Sequence, residues 1–126
     1  MASQFVLSGG YTTTPLDGIP SLAPNVDAPI DESMVVSVKA EGEYILGLDA
    51  PVAVAFGGIT AANVVIIKAI GGKVRVRLTS ADGSQQSIPV DSVLIITSIS
   101  TPITAIDLTR VPATPCSARV YIAQMA

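Results

Sequence analysis

The stretch Asn63-Val-Val-Ile-Ile-Lys-Ala-Ile-Gly-Gly-Lys-Val-Arg-Val-Arg-Leu-Thr79 decides the fold class. Its second half alternates strictly. Val74, Val76 and Leu78 fall on one side of an extended chain, and Lys73, Arg75 and Arg77 on the other, which is the pattern of a strand with one dry face and one wet face. Gly71-Gly72 separates this run from the apolar run before it. A glycine pair supplies the positive φ that a two-residue primed turn demands, so a hairpin is expected here. Asp82-Gly83 predicts a second hairpin, between Thr79 and a strand around Ile88.

The same cadence continues in both directions. Runs rich in Val, Ile and Leu occupy 34–39, 44–48, 52–56, 63–69, 73–79, 87–90, 93–97, 103–109 and 118–123, with Gly, Pro or Asp between them. Short strands at this spacing indicate a β-sandwich or small barrel. None of the gaps holds the ten or more residues of a crossover helix, so the sheets are expected to be antiparallel. Pro89 and Pro102 belong at edges, bulges or strand starts, because proline cannot donate to a ladder. Fifteen valines, fourteen isoleucines and ten threonines make 39 of the 126 residues β-branched, which suits a pleated, half-buried surface.

Residues 1–33 read differently. Prolines at 15, 20, 24 and 29 forbid both a helix and a central strand. Yet Leu16, Ile19, Leu22, Val26 and Ile30 make the segment more apolar than a solvated linker. We read it as an extended, proline-rich N-terminal arm that lies against a partner surface, and residues 34–126 as the β domain.

Composition narrows the function. Hydrophobic residues make up 49% of the chain and charged residues 13%, in a length that suits one domain. Histidine and tryptophan are absent, so the Ser/His triad, the Cys/His dyad and His-ligated zinc are unavailable. Seven Lys and Arg against ten Asp and Glu give a net charge of −3, which leaves no basic surplus for a nucleic-acid backbone. The single Cys116 cannot form an internal disulfide and reads as a small apolar residue. The first ten residues carry no Lys or Arg and only a three-residue apolar run, unlike a signal peptide. Residues 50–67 are uncharged over eighteen positions, but Pro51, Gly57, Gly58 and Asn63 interrupt them, so two short strands are expected there and no membrane span. A positive mean hydropathy with so few charges points to surface shared with neighbouring molecules.

The candidate groups are few. Lys73, Arg75 and Arg77 form a row with steps of about 7 Å that could meet an acidic protein surface, although a solvated face is the simpler reading. No aromatic residue interleaves the row to stack bases. Glu41 with Glu43, and Asp31 with Glu32, are the only close carboxylate pairs considered for hydrolysis; both flank glycine- or proline-containing stretches that read as loops. Asp27, Asp31 and Glu32 lack the glycine-punctuated repeat of a calcium loop. We therefore expect no catalytic residue, no metal site and no cofactor.

From Asn63 to Gly83, then at Ile88-Pro-Val-Asp91, Ile95-Ile-Thr-Ser98, Thr101-Pro-Ile-Thr-Ala-Ile-Asp-Leu-Thr-Arg110 and Ala118-Arg-Val-Tyr-Ile122, the chain resembles small β-sandwich structural proteins of tailed-bacteriophage virions. The likeness covers roughly residues 40–123 and rests on the cadence of strands and turns. It implies an antiparallel, jelly-roll-like β-sandwich that is not an enzyme. The implied role is capsid decoration, that is, a cement protein on the exterior of the virion capsid. The implied partners are the major capsid protein and further copies of this chain, as a dimer or trimer, with no nucleic acid and no membrane. Such a protein is made in the host cytoplasm during assembly. The alternative role within the same class is a tail, fibre or baseplate component that recognises a host surface. The resemblance carries no site residues. Those proposed from the residues themselves for partner binding are Leu16, Ile19, Leu22, Val26 and Ile30 of the arm and Lys73, Arg75 and Arg77 of the strand.

Overall fold

The computed structural model describes residues 3–7, 10–11, 28–29 and 32–126. They form the strands β1 (Ser3–Leu7), β2 (Gly10–Tyr11), β3 (Ala28–Pro29), β4 (Glu32–Leu46), β5 (Val52–Ala53) and β6 (Val64–Ile70), followed by β7 (Val74–Ser80), β8 (Gln85–Val90), β9 (Val93–Thr97), β10 (Ile103–Arg110) and β11 (Cys116–Met125). Among the described residues there is no helix, and every ladder is antiparallel. A five-stranded sheet runs β1-β4-β11-β6-β9, a four-stranded sheet runs β5-β10-β7-β8, and β2 pairs with β3. Among the described residues no helix is long and apolar enough to cross a membrane. Residues 50–67 instead hold β5, a turn at Gly57 and Gly58, and the start of β6.

One apolar cluster draws on both larger sheets. Val65, Ile67, Ala118, Val120 and Ile122 come from the five-stranded sheet, and Val74, Val76, Leu78, Ile106 and Leu108 from the four-stranded sheet. Most of these side chains are fully buried, and each Val, Ile or Leu among them contributes about 1.5–3 kcal/mol relative to exposure. The alternation in β7 is as the sequence dictates, with Val74, Val76 and Leu78 buried and Arg75 and Arg77 exposed. Residues adjacent to the core positions point the other way. Val64, Ala123, Met34 and Val36 make a second buried cluster, joined by Phe5, Ile66, Tyr121 and Met125, on the opposite face of the five-stranded sheet. Phe5 and Tyr121 stack there with ring centroids 5.8 Å apart.

Several sequence expectations change. Runs 34–39 and 44–48 are not separate strands but parts of the fifteen-residue β4, so Glu41 and Glu43 stand in a strand and not in a loop. The run hides its parity because the β4–β11 register slips between Gln124 and Met125; on one side of the slip Ala40 and Leu46 face the main core, on the other Met34 and Val36 face the second cluster. The expected strand 52–56 shortens to β5.

Gly71-Gly72 does not close a hairpin. Gly71 takes the positive φ of 78°, but β6 pairs with β11 and β9 while β7 pairs with β10 and β8. The turn carries the chain from one sheet to the other, since Ile67 and Val74 both need to face the shared core. The Asp82-Gly83 hairpin stands: β7 pairs with β8, Gly83 adopts φ 87°, and its N–H donates to the Ser80 carbonyl at 2.9 Å. Pro89 lies in the edge strand β8, and Pro102 immediately precedes β10.

Of the segment expected to be an arm, residues 3–7 pair with residues 32–36 of β4, and residues 10–11 pair with 28–29. Leu16, Ile19, Leu22, Val26 and Ile30 lie outside the described residues, as do Asp27 and Asp31.

Candidate functional site

The outward face of the four-stranded sheet gathers the cation row. Because β7 is flanked on both sides, each cation meets two cross-strand neighbours: Arg75 lies between Thr109 of β10 and Pro89 of β8, and Arg77 between Asp107 and Ser87. Together with Pro51 and Lys73 these residues line an open groove of about 570 Å³. The Arg77 guanidinium donates to the half-buried carboxylate of Asp107, a charge-assisted contact that fixes the arginine along the groove. Lys73 approaches Asp91 at 3.9 Å, a loose and solvated pair.

Arg75, between them, has no ion-pair partner among the described residues. Its fork of donors is thus free for a carboxylate or phosphate from outside, and bidentate pairing is what a guanidinium does best. The prolines at 51 and 89 give the groove rigid apolar walls. No aromatic side chain lines it, so stacking of bases or sugar rings has no platform here.

A second, shallower groove of about 340 Å³ crosses the outward face of the five-stranded sheet, among Glu41, Glu43, Ile66, Lys68, Arg119 and Tyr121. Lys68 and Arg119 are direct cross-strand partners. Burial raises the Tyr121 hydroxyl above its usual pKa, so it stays a neutral donor at physiological pH.

Away from both grooves, three polar arrangements hold loops. Asp49 Oδ1 accepts the Ala113 N–H at 3.1 Å and Arg110 Nε at 2.8 Å, and these two donors, the backbone one first, hold its carboxyl below the ordinary range. Asp82 is lowered in the same way by the Ser84 hydroxyl and N–H, closing the β7–β8 turn. Asn63, the one buried polar residue among those described, donates to Ser98 O and accepts from Met125 N–H. The sequence marks the Asp82-Gly83 turn and the polar break at Asn63, but not the Ser84 contact, the Asn63 bridges or the Asp49 contacts, which join residues that no motif links. Cys116 is buried in the main core, which pushes its thiol pKa up.

The structure brings Lys73, Arg75 and Arg77 together with Asp107 and Asp91. Glu41 and Glu43 stand on an exposed strand face, with Glu41 paired to Lys39 at 3.5 Å. Among the described residues no group of three or more acidic or thiol side chains converges as a metal cage. No protein-family model and no curated protein sequence matches this chain.

Proposed function

We propose that this protein is a structural component of a tailed-bacteriophage virion, a decoration protein that binds the outer surface of the capsid and stabilises the shell. We read the fold as a jelly-roll β-sandwich. Its support is the strand order: β4-β11-β6-β9 in one sheet and β5-β10-β7-β8 in the other is the interleaving expected when an eight-stranded chain winds as two Greek keys.

The observation that carries the functional reading is the amount of apolar surface left open. Val6, Val35, Ile45, Leu48, Val93, Ile95 and Ile99 are each about half exposed or more, on a chain with few charges. A shell offers such a surface repeated partners. Many weak contacts at symmetry-related positions then act together as multivalent staples. The groove around Arg75 supplies a polar contact of defined chemistry, a carboxylate of the major capsid protein. The segment containing Leu16, Ile19, Leu22, Val26 and Ile30 supplies further apolar contact to that shell.

The test is copy number. Quantitative mass spectrometry of purified virions of a phage that encodes this chain is expected to give hundreds of copies per particle; a handful would reassign it to a tail, fibre or baseplate. Complete absence from virions would overturn the structural reading itself.

A further inference from the structure

From the open edge of the five-stranded sheet we infer a self-association interface, on which β9 of one copy pairs antiparallel with β9 of a second copy. β9 ends its sheet, so no described strand lies beyond it. The ladder with β6 fixes which of its backbone groups are spare. Ser98 N–H donates to Asn63 O and Ala69 N–H donates to Ser92 O, each at 2.8 Å, so residues of this parity turn toward β6. In an antiparallel ladder the alternate residues turn away, which aims the N–H and C=O of Val93, Ile95 and Thr97 off the edge.

Proteins guard such an edge with charge, proline or brevity, and β9 uses none of them. Its sequence is Val-Leu-Ile-Ile-Thr. β8, which ends the other sheet and joins β9 through Asp91-Ser92, carries Pro89, and β5 at the far side of that sheet is two residues long. From Ser84 to Ile106 the only charged residue is Asp91. The flank is also apolar through its depth. Ile88, Leu94 and Ile96 pack against the main core but are only partly buried, and on the outer side Val93 and Ile95 remain 49% and 45% exposed.

The strand selects its occupant by its own symmetry. A two-fold axis through Ile95 sets Ile95 opposite the partner's Ile95 and Val93 opposite the partner's Thr97, so every spare N–H meets a C=O and no residue of β9 overhangs. Leu94 comes opposite the partner's Ile96 on the core side. On the outer side Ile66 and Ile95, already neighbours across β6 and β9, continue into the same pair of the partner as one apolar row. Asp91 falls opposite the partner's Ile99, about 26 Å from the partner's Asp91, so no like charges meet. β9 itself therefore supplies the uncharged, proline-free strand that its edge requires. The contact is isologous and uses the one β9 of each copy, so it closes at two. A strand about 17 Å long places it at the weak end of protein interfaces. Val6, Val35, Ile45 and Leu48 stay exposed outside it. The inference goes beyond the shell-binding reading and is measured without any shell, so either can fail while the other stands.

Sedimentation equilibrium of the full chain from about 1 µM to about 1 mM is the first measurement, and a monomer–dimer equilibrium is the result expected. Ile95→Lys sets two ammonium groups against each other on the axis and is expected to weaken the dimer at least about tenfold. Ile45→Lys, at an 80% exposed site three strands away, is expected to leave it unchanged. Register is read by oxidising single-cysteine variants. Ile95→Cys is expected to give a disulfide-linked dimer, and Val93→Cys, whose two copies stand about 13 Å apart, is not. The buried Cys116 takes no part. A parent chain that stays monomeric throughout overturns the inference. So does a dimer that survives Ile95→Lys, one that Ile45→Lys weakens equally, or a Val93→Cys link that forms as fast as the Ile95→Cys link. Should Ile95→Lys unfold the chain by circular dichroism, the two cysteine variants decide in its place.

Discussion

Asn63 Nδ2 donates to the carbonyl of Ser98 at 2.8 Å, tying the entry of β6 to the exit of β9 across the sheet. The main chain repeats the tie, with Ser98 N–H donating to Asn63 O at 2.8 Å. Asn63 Oδ1 meanwhile accepts the N–H of Met125 at 2.8 Å, and its own N–H donates to Ala123 O. A single buried amide thus locks three strands at one end of the five-stranded sheet.

Asn63→Ala removes one donor and one acceptor and leaves Ser98 O and Met125 N–H without their partner in a part-buried environment. At about 1–3 kcal/mol for each uncompensated group, a loss of roughly 2–4 kcal/mol is expected. Urea unfolding is the measurement: the midpoint falls while the slope is unchanged. A loss below about 0.5 kcal/mol would mean that water replaces the amide without penalty.

The cation row is expected to matter for binding and hardly for folding. Arg75→Ser alters an exposed side chain without an ion-pair partner among those described and should cost less than about 0.5 kcal/mol. Arg77→Ser is costlier, about 0.5–1 kcal/mol, because Asp107 is partly buried and loses its partner. The double variant is then the test of the groove's role: it melts close to the parent yet binds shells poorly. Undiminished binding would move the contact elsewhere on the surface.

This same strand shows why some of the fold can be read from the sequence and some cannot. The alternation from Val74 to Leu78 is legible because one face is wholly buried and the other wholly wet. The destination of a turn has no such signature. Gly71 and Gly83 both adopt positive φ, but only the second joins paired strands, and the difference lies in which partners across the core Ile67 and Val74 must meet. Likewise the Glu41-Gly-Glu43 stretch mimics a loop because the outward face of β4 is exposed and a slipped register changes which residues of the strand face the main core. The cation row was legible as a face; the Asp107 and Asp91 contacts that leave Arg75 free were not, since they join residues distant in the chain.

Asp49 gives a pH dependence whose sign follows from its partners. Its folded carboxyl is held below the ordinary 3.8 by the Ala113 N–H and then by Arg110. The contribution is therefore fully present above that ordinary value and disappears as pH falls through the lower, folded one. Asp49→Asn keeps an acceptor but abolishes the titration. Denaturation series between about pH 2 and 5 should show a shallower acid decline for the variant than for the parent. Identical slopes would mean that the contact, which also secures Ala113 at its φ of 62°, contributes nothing through its charge.

Cys116 reports how firmly the start of β11 is held. The residue pairs with Leu46 at the end of β4, is 8% exposed, and its Sγ lies 3.7 Å from the Lys73 carbonyl. Burial raises its thiol above the ordinary 9.0, so reaction with iodoacetamide is suppressed twice, by access and by the scarcity of thiolate. Labelling of the native chain should run at least about a hundredfold slower than in denaturant, because it waits for an opening that frees β11. The rate should also keep rising with pH beyond the value at which an unfolded thiol levels off. Mass spectrometry of a labelling time course reads both. If modification proceeds at the denatured rate, this end of the two sheets frays independently of the core, and the joint that Cys116, Leu46 and Val74 form between the sheets contributes little to global stability.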